Sequence, residues 1–482
     1  MVKYGGTGEM LEDGAAEPDE GSPADKEMDY KAILAEILAR EKVIKSEWLD
    51  KTKESYEIYD GSKSDTIPFN ILYSNTEILV PNLFSASPKP IVRRRFGEMR
   101  ADGASKAAER MAEYCMDTNL SGYPDFVDAL ESCVLDAALP GQGQARVRLV
   151  NDTAVIDYVQ HDAFIWAYAK RWEDTGWIAY RHDKTVNDTK ADLALEPDVA
   201  AGLKSPSLES SSSMKDKGPE TIAVYEIWDK RSRMVHFCTE GHPDIVIKSM
   251  EDPLGLEGFF PSGKPLRLLS TPISTMPRSM YNLYRKQAME LNEVTRRITN
   301  LTKAIQVRGI YDGNIAEMAN LFSMENSENK LTASNNPGTL LRDGGLDKHI
   351  WLVPVEKYVT VLAQLFVIRD QIKNTIYEIL GIGDILRGVT KASETLGAQE
   401  IKDKWGTLRI KRSRERVSTF VRQQIRFLIE VSAKHVPEQI WAQVTGLPYV
   451  SSMEAQMQPQ LPPPGPQGPP QPPQMVSWGE VL

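Results

Sequence analysis

The chain has 482 residues, 41% hydrophobic and 26% charged, ordinary values for a soluble globular protein of two or three domains with a sizeable core. It holds no run of about 18 apolar residues and no apolar stretch in its polar N-terminus, so neither a membrane span nor a secretory signal is expected. The net charge of -10 lies in the tails: residues 1–29 carry nine acids and two lysines, and residues 437–482 carry three glutamates and no Lys or Arg, so the body from 30 to 436 is formally neutral.

Residues 1–29 are Gly, Ala, Asp, Glu and Pro with almost no apolar content, and read as a disordered acidic tail. An amphipathic helix follows over 31–60, with Ile33, Ile37, Ile44, Trp48 and Tyr56 near one face. A second helix over 70–80 is expected to end at Pro81, and Pro88, Pro90 and the extended Ile91-Val92 suggest an excursion to a strand. Helical spacing returns over 104–118 and 123–138. From Ala145 the period changes to two. Residues 146–150, 155–159 and 177–181 read as strands, 222–228 and 234–239 as a hairpin, and 244–248 as one more strand. The Ser- and Pro-bearing stretch 185–220 reads as a flexible linker. Residues 30–276 are therefore expected to form one mixed α+β domain.

The densest pattern lies in 277–380. Tyr281, Tyr284, Ala288, Leu291, Val294, Ile298, Leu301 and Ile305 fall at steps of three and four on a helix over 281–308. Val355, Val359, Leu362, Phe366, Arg369, Ile372, Ile376 and Ile379 trace a second helix, with Tyr358 and Leu365 beside the stripe. Pro277 and Pro354 stand at or before the helix starts, where a missing N–H costs nothing, and Gly381 is a C-terminal stop. An Asn- and Gly-rich insert separates the two, which makes an antiparallel hairpin. Each helix shows a narrow apolar stripe, so the pair needs further partners to bury itself. Glycines 381, 383 and 388 then make 381–391 a mobile loop. A third long helix, 394–435, holds ten Lys or Arg against three acids between 401 and 434. That suits a solvated face, contact with phosphate, or an acidic neighbouring subunit. Nine prolines within 459–473 mark a polyproline-type tail.

No catalytic constellation is evident in the residues. Residues 258–265, G-F-F-P-S-G-K-P, nearly match the phosphate-loop pattern, but Pro265 replaces the hydroxyl that would hold Mg²⁺ and removes a backbone N–H. Cys115, Cys133 and Cys238 lack metal-type spacing and read as buried reduced thiols. His161-Asp162 and His182-Asp183 are adjacent in the strand region, so the members of each pair point to opposite faces and read as structural. No metal, cofactor or enzymatic activity is expected.

Taken in order, the parts over about 30–436 resemble the portal proteins, or head-to-tail connectors, of tailed double-stranded DNA phages. Four stretches carry the resemblance: the Phe259-Phe260-Pro261 to Pro265 approach; 281–293 with Arg296-Arg297-Ile298, similar to a first stem helix; 380–388 followed by Lys391-Ala392-Ser393-Glu394-Thr395, similar to a tunnel loop; and Arg171-Trp172 with 177–181, similar to wing strands. The resemblance implies a ring, usually of twelve copies, at one capsid vertex of the virion and assembled in the host cytoplasm. Double-stranded DNA is packaged and ejected through its channel. The implied partners are a terminase that supplies the packaging ATPase, a head-tail adaptor, and the major capsid or scaffolding protein. By position, 30–276 is the wing, 277–308 the first stem helix, 309–351 the clip, 352–380 the second stem helix, 381–393 the tunnel loop, and 394–436 a wing or crown helix. After 436 the chain departs from the family, since a short segment and a Pro-rich tail follow over 437–482, and a large helical crown is not expected. The alternative is a non-portal helical assembly scaffold or a head-tail adaptor.

Two sets of site residues follow. Arg387, Thr390 and Lys391 of the tunnel loop are expected near DNA phosphate, the alternative being a rigid turn packed in the wing. On the first stem helix Arg285, Arg296 and Lys303 share a stripe that contains no acid. It is expected to have no partner in its own helix. It faces either the DNA channel or acids such as Glu356, Asp370 or Glu378 of a neighbouring second helix. Lys286, Glu290, Glu293 and Arg297 form a second, self-neutralised stripe.

Overall fold

The computed structural model describes residues 30–63, 67–85, 87–93, 103–117, 125–192, 221–239, 246–271, 274–305, 309–311, 350–352, 355–381, 396–446, 450–451 and 475–476. Two apolar periods build an α+β fold. Spacing of three and four gives α1 (Tyr30–Ile44), which passes through a π-helical turn (Lys45–Leu49) into α2 (Asp50–Tyr59). It also gives α3 (Ile71–Leu83), α4 (Gly103–Met116) and α5 (Phe126–Ala138). Alternation gives the hairpin of β1 (Gln144–Val150) and β2 (Thr153–Val159). Its turn residues Asn151 and Asp152 both take left-handed φ, 46° and 59°, as a type I′ turn requires.

A second sheet holds β3 (Phe164–Trp166), β4 (Trp177–Thr185), β5 (Thr221–Asp229), β6 (Met234–Thr239) and β7 (Val246–Glu251). Its strand order is sequential and all its pairings are antiparallel. Helix α6 (Val186–Asp192) follows β4. The long hairpin consists of α7 (Tyr281–Ala304) and α8 (Val355–Leu380), with β8 (Gly309–Tyr311) paired to β9 (Ile350–Leu352) between them. Then come α9 (Leu396–His435) and α10 (Glu438–Thr445).

One apolar core joins α1, α4, α5, both sheets and the last two helices. Trp48, Trp166, Tyr180, Phe259 and Trp441 are all buried in it. Phe420, Leu428 and Val431 of α9 close it, so the C-terminal helices belong to the same body as the residues before 276. The near-phosphate-loop is part of this core. Phe259 and Phe260 are buried, the Tyr180 hydroxyl meets that of Ser262, and Gln144 Nε2 donates to the Gly263 carbonyl at 3.2 Å. The loop at Gly141 and Gly143 threads so closely past Arg278 and Cys133 that a Cβ would land on their backbone atoms.

Several expectations change. Pro81 lies inside α3 rather than ending it: only two residues follow it, and Arg414 Nε caps the helix end by donating to the Asn82 carbonyl at 2.6 Å. Residues 87–93 join no sheet, since two prolines at alternate positions remove ladder donors. The linker contributes α6 before residue 193, and the last strand sits at Val246–Glu251 rather than 244–248. Helix α7 stops at Ala304, because Gly309 begins the ladder with β9. Residues 437–482 include α10, whose Trp441 is 1% exposed, and a two-residue pairing of Val450–Ser451 with Met475–Val476. The acidic segment 1–29, the interior of the clip and the Pro-rich 459–473 lie outside the described residues.

Candidate assembly interface

The helical hairpin is rooted in the body and projects its surface from there. Ser279 Oγ accepts from the Tyr281 amide at 3.1 Å at the start of α7. The helix then buries Tyr281, Tyr284, Ala288, Leu291, Val294 and Ile298, the stripe expected from spacing, while Leu301 and Ile305 are half-buried. Helix α8 runs back antiparallel: Leu380 meets Tyr284 at the root, and the β8–β9 ladder closes the far end. Its inner seam is Leu362, Leu365, Ile372, Ile376 and Tyr377, and the root packs on Ile58, Ile71, Leu72 and Leu139. Arg369 sits in that seam, its guanidinium 5.0 Å from the Phe366 ring centre and 3.8 Å from Asp370.

The seam uses only part of the apolar surface of α8. Val359 remains 51% exposed, Val361 46%, Phe366 40%, Val367 58% and Ile368 40%. Val359 and Phe366 fit the seam by spacing, yet they lie outside it. At about 100° per residue, Val361 and Ile368 occupy one flank and Val359 and Phe366 the other, about 160° away. Leu283 and Met289 add exposed apolar surface on α7. The hairpin thus has an inner seam satisfied within the chain and two outer flanks that stay exposed among the described residues.

The basic stripe of α7 is partnered differently from the expectation. Arg285 pairs with Glu54 of α2 at 2.5 Å, in its own chain. Arg296 pairs with Glu293 of its own helix at 2.7 Å, and Glu293 also binds Arg297 at 3.1 Å. The expectation of no partner in the same helix fails for Arg296, because Glu293 reaches both stripes. Among the described residues Lys303 has no carboxylate partner. Arg387, Thr390 and Lys391 lie outside the described residues. The cations of α9 are used in part as clamps on backbone carbonyls: Arg416 on Arg267 and Leu268, Lys434 on Gly255.

Two buried polar clusters inside the body had no signal in the sequence. Asp136 accepts from the Tyr56 hydroxyl and, at 2.6 Å, from the Tyr158 hydroxyl, with His161 Nδ1 at 3.7 Å. Burial first, and the neighbouring Asp136 second, push both phenols well above their usual range, so they stay neutral donors. Glu226 accepts from Arg146 at 2.9 Å, from Trp228 Nε1 at 2.8 Å and stands 2.8 Å from His182 Nε2. Burial alone would raise its carboxyl; Arg146 and His182 outweigh it and hold it down to about 2. Each histidine therefore faces a distant carboxylate rather than its neighbour in sequence. Cys115, Cys133 and Cys238 are buried free thiols. Among the described residues no group of His, Cys, Asp and Glu could hold a metal ion, and no helix is long and apolar enough to cross a membrane.

No family model matches the chain, and no curated protein matches it.

Proposed function

We propose that the chain is the subunit of a portal-type ring through which double-stranded DNA is packaged and ejected. The observation that carries this reading is the α7–α8 hairpin, apolar on an inner seam and again on two outer flanks. A single outer flank would suit a two-fold dimer, in which one patch meets itself. Two flanks about 160° apart suit a subunit held between two neighbours, the heterologous contact that closes into a ring. The long hairpin then forms the stem, and the α+β body with α9 and α10 forms the wing.

In such a ring a few cations per subunit are multiplied around the axis and attract passing phosphate without reading bases. Lys303, like Lys286 and Lys357, is a stem cation without a carboxylate partner among the described residues, and Arg387, Thr390 and Lys391 belong to the expected tunnel loop after α8. Arg285 and Arg296 act first as local pairs. The clip docks the terminase and the head-tail adaptor, and the rim meets the major capsid or scaffolding protein at the capsid vertex. The chain itself is not the motor; the packaging ATPase is a separate partner. A non-portal scaffold or adaptor would share the apolar flanks but lack an axial channel for DNA.

Negative-stain imaging of the purified full chain tests the reading. Rings with a central hole, about twelve subunits round by the portal resemblance, are the expected result. A monodisperse monomer, or filaments without a channel, would overturn it. Nucleotide hydrolysis by the lone chain would overturn the non-enzymatic part.

A further inference from the structure

Helix α9 carries two parallel ridges at four-residue spacing. One is apolar: Val417, Val421, Ile425 and Ile429. The other is Arg414, Ser418, Arg422 and Arg426. Residues 87–93 run alongside and, with the end of α3, bound an open groove of about 660 Å³. Lys89 and Arg93 bring the described lining residues to five cations and no acid, and Ile91 on its rim is 69% exposed. Arg414 donates to the Asn82 carbonyl and Arg422 to Ser418 Oγ at 3.4 Å. Among the described residues none of the five pairs with a carboxylate. Arg422 and Arg426 even stand four apart, a like-charge spacing that weakens a helix by a few tenths of a kcal/mol. A basic rim over an apolar floor fits a ligand that is acidic and apolar together.

We propose that the groove docks the chain's own acidic N-terminal segment, residues 1–29, from the same or a neighbouring copy. That segment carries nine acids against two lysines, and its Glu9-Met10-Leu11-Glu12-Asp13 places two apolar side chains among three carboxylates. Met10 and Leu11 fill the floor between Val421 and Ile425, and the carboxylates meet Arg414, Arg422 and Arg426. Reach does not limit the contact. The roughly 19-residue tether from Leu11 to Tyr30 extends to about 65 Å, several times the ~20 Å radius of gyration of a body this size. The tether also holds the segment at an effective concentration near the millimolar range. A nucleic-acid strand fits less well, since phosphate needs no apolar floor and among the described lining residues Phe84 is the one aromatic ring, too few for stacking bases. The proposal stands independently of the ring reading.

The test uses the full chain with a benzophenone photo-crosslinking residue in place of Met10. Mass spectrometry should map its cross-links to 417–429 or 87–93. They should fall at least about tenfold in the Arg422→Gln/Arg426→Gln variant and in about 0.5 M salt, where exposed ion pairs are screened. Both arginines are exposed and bond no distant residue among those described, so an unchanged melting temperature is expected for the variant. Cross-links that map elsewhere, or that persist in the double variant, would overturn the proposal. A short single-stranded DNA that binds the wild type but not the double variant, with no cross-link from position 10 to the groove, would overturn it in favour of phosphate.

Discussion

Replacing Val361 and Ile368 with Gln strips one outer flank of α8 while keeping good helix formers in the helix. Burying a Val or Ile side chain completely is worth about 1.5–3 kcal/mol. The two residues are 46% and 40% exposed, so a little under half of that remains for a neighbouring subunit to gain. On the proposed ring reading the flank is therefore worth about 2 kcal/mol per interface, and an amide buried there without a partner costs about 1 kcal/mol more. A loss of about 3 kcal/mol is roughly a hundredfold in the association constant between subunits. Sedimentation velocity or mass photometry over a concentration series measures it, with far-ultraviolet circular dichroism expected to stay unchanged. The opposite flank, Val359→Gln with Phe366→Gln, should behave alike. A mixture of the two variants should stop at dimers, since each retains one intact flank and the pair shares one good interface. If either variant alone still forms dimers through its altered flank, or if the assembly midpoint moves less than about threefold, the two-flank argument is wrong.

Three further outcomes follow from the body and stem. Glu226→Gln leaves Arg146 buried beside a neutral amide and should cost about 3 kcal/mol of unfolding free energy in urea at neutral pH. Because the folded carboxyl lies near 2 against an ordinary 4.5, its contribution is complete above about 4.5 and is lost as pH falls toward 2; the wild type should lose more stability than the variant across that window. Gly143→Ala should destabilise by at least about 2 kcal/mol, since the new Cβ falls on the Cys133 backbone, and a melting temperature within a degree or so of wild type would contradict that packing. Lys303→Gln removes a cation that holds no carboxylate among the described residues, so stability should stay within about 0.5 kcal/mol, while on the proposed ring reading DNA retention weakens and loses part of its salt dependence; a large stability loss would place Lys303 in a structural contact instead.

The amino-acid sequence determined those elements whose residues carry a period of their own. Six of the eight residues in the α7 stripe are buried as the spacing requires, because each turn of that helix has one apolar side and polar residues around it. The β1–β2 hairpin was equally legible, from alternation on both sides of Asn151-Asp152. Helix α8 was not. Its apolar residues spread over a broad arc, so Val359 and Phe366 satisfy the same spacing as Leu362 and Ile372, and only the position of α7 selects which become the seam. The third strand of the chain, three buried residues long, is too short to show a period. The partners of Asp136 and Glu226 lie up to 80 residues away, and the groove joins residues 87–93 to a helix more than three hundred residues later. Periodicity is a property of neighbours along the chain. Charge pairing, seam choice and the groove depend on distances across the fold, which only tertiary packing sets.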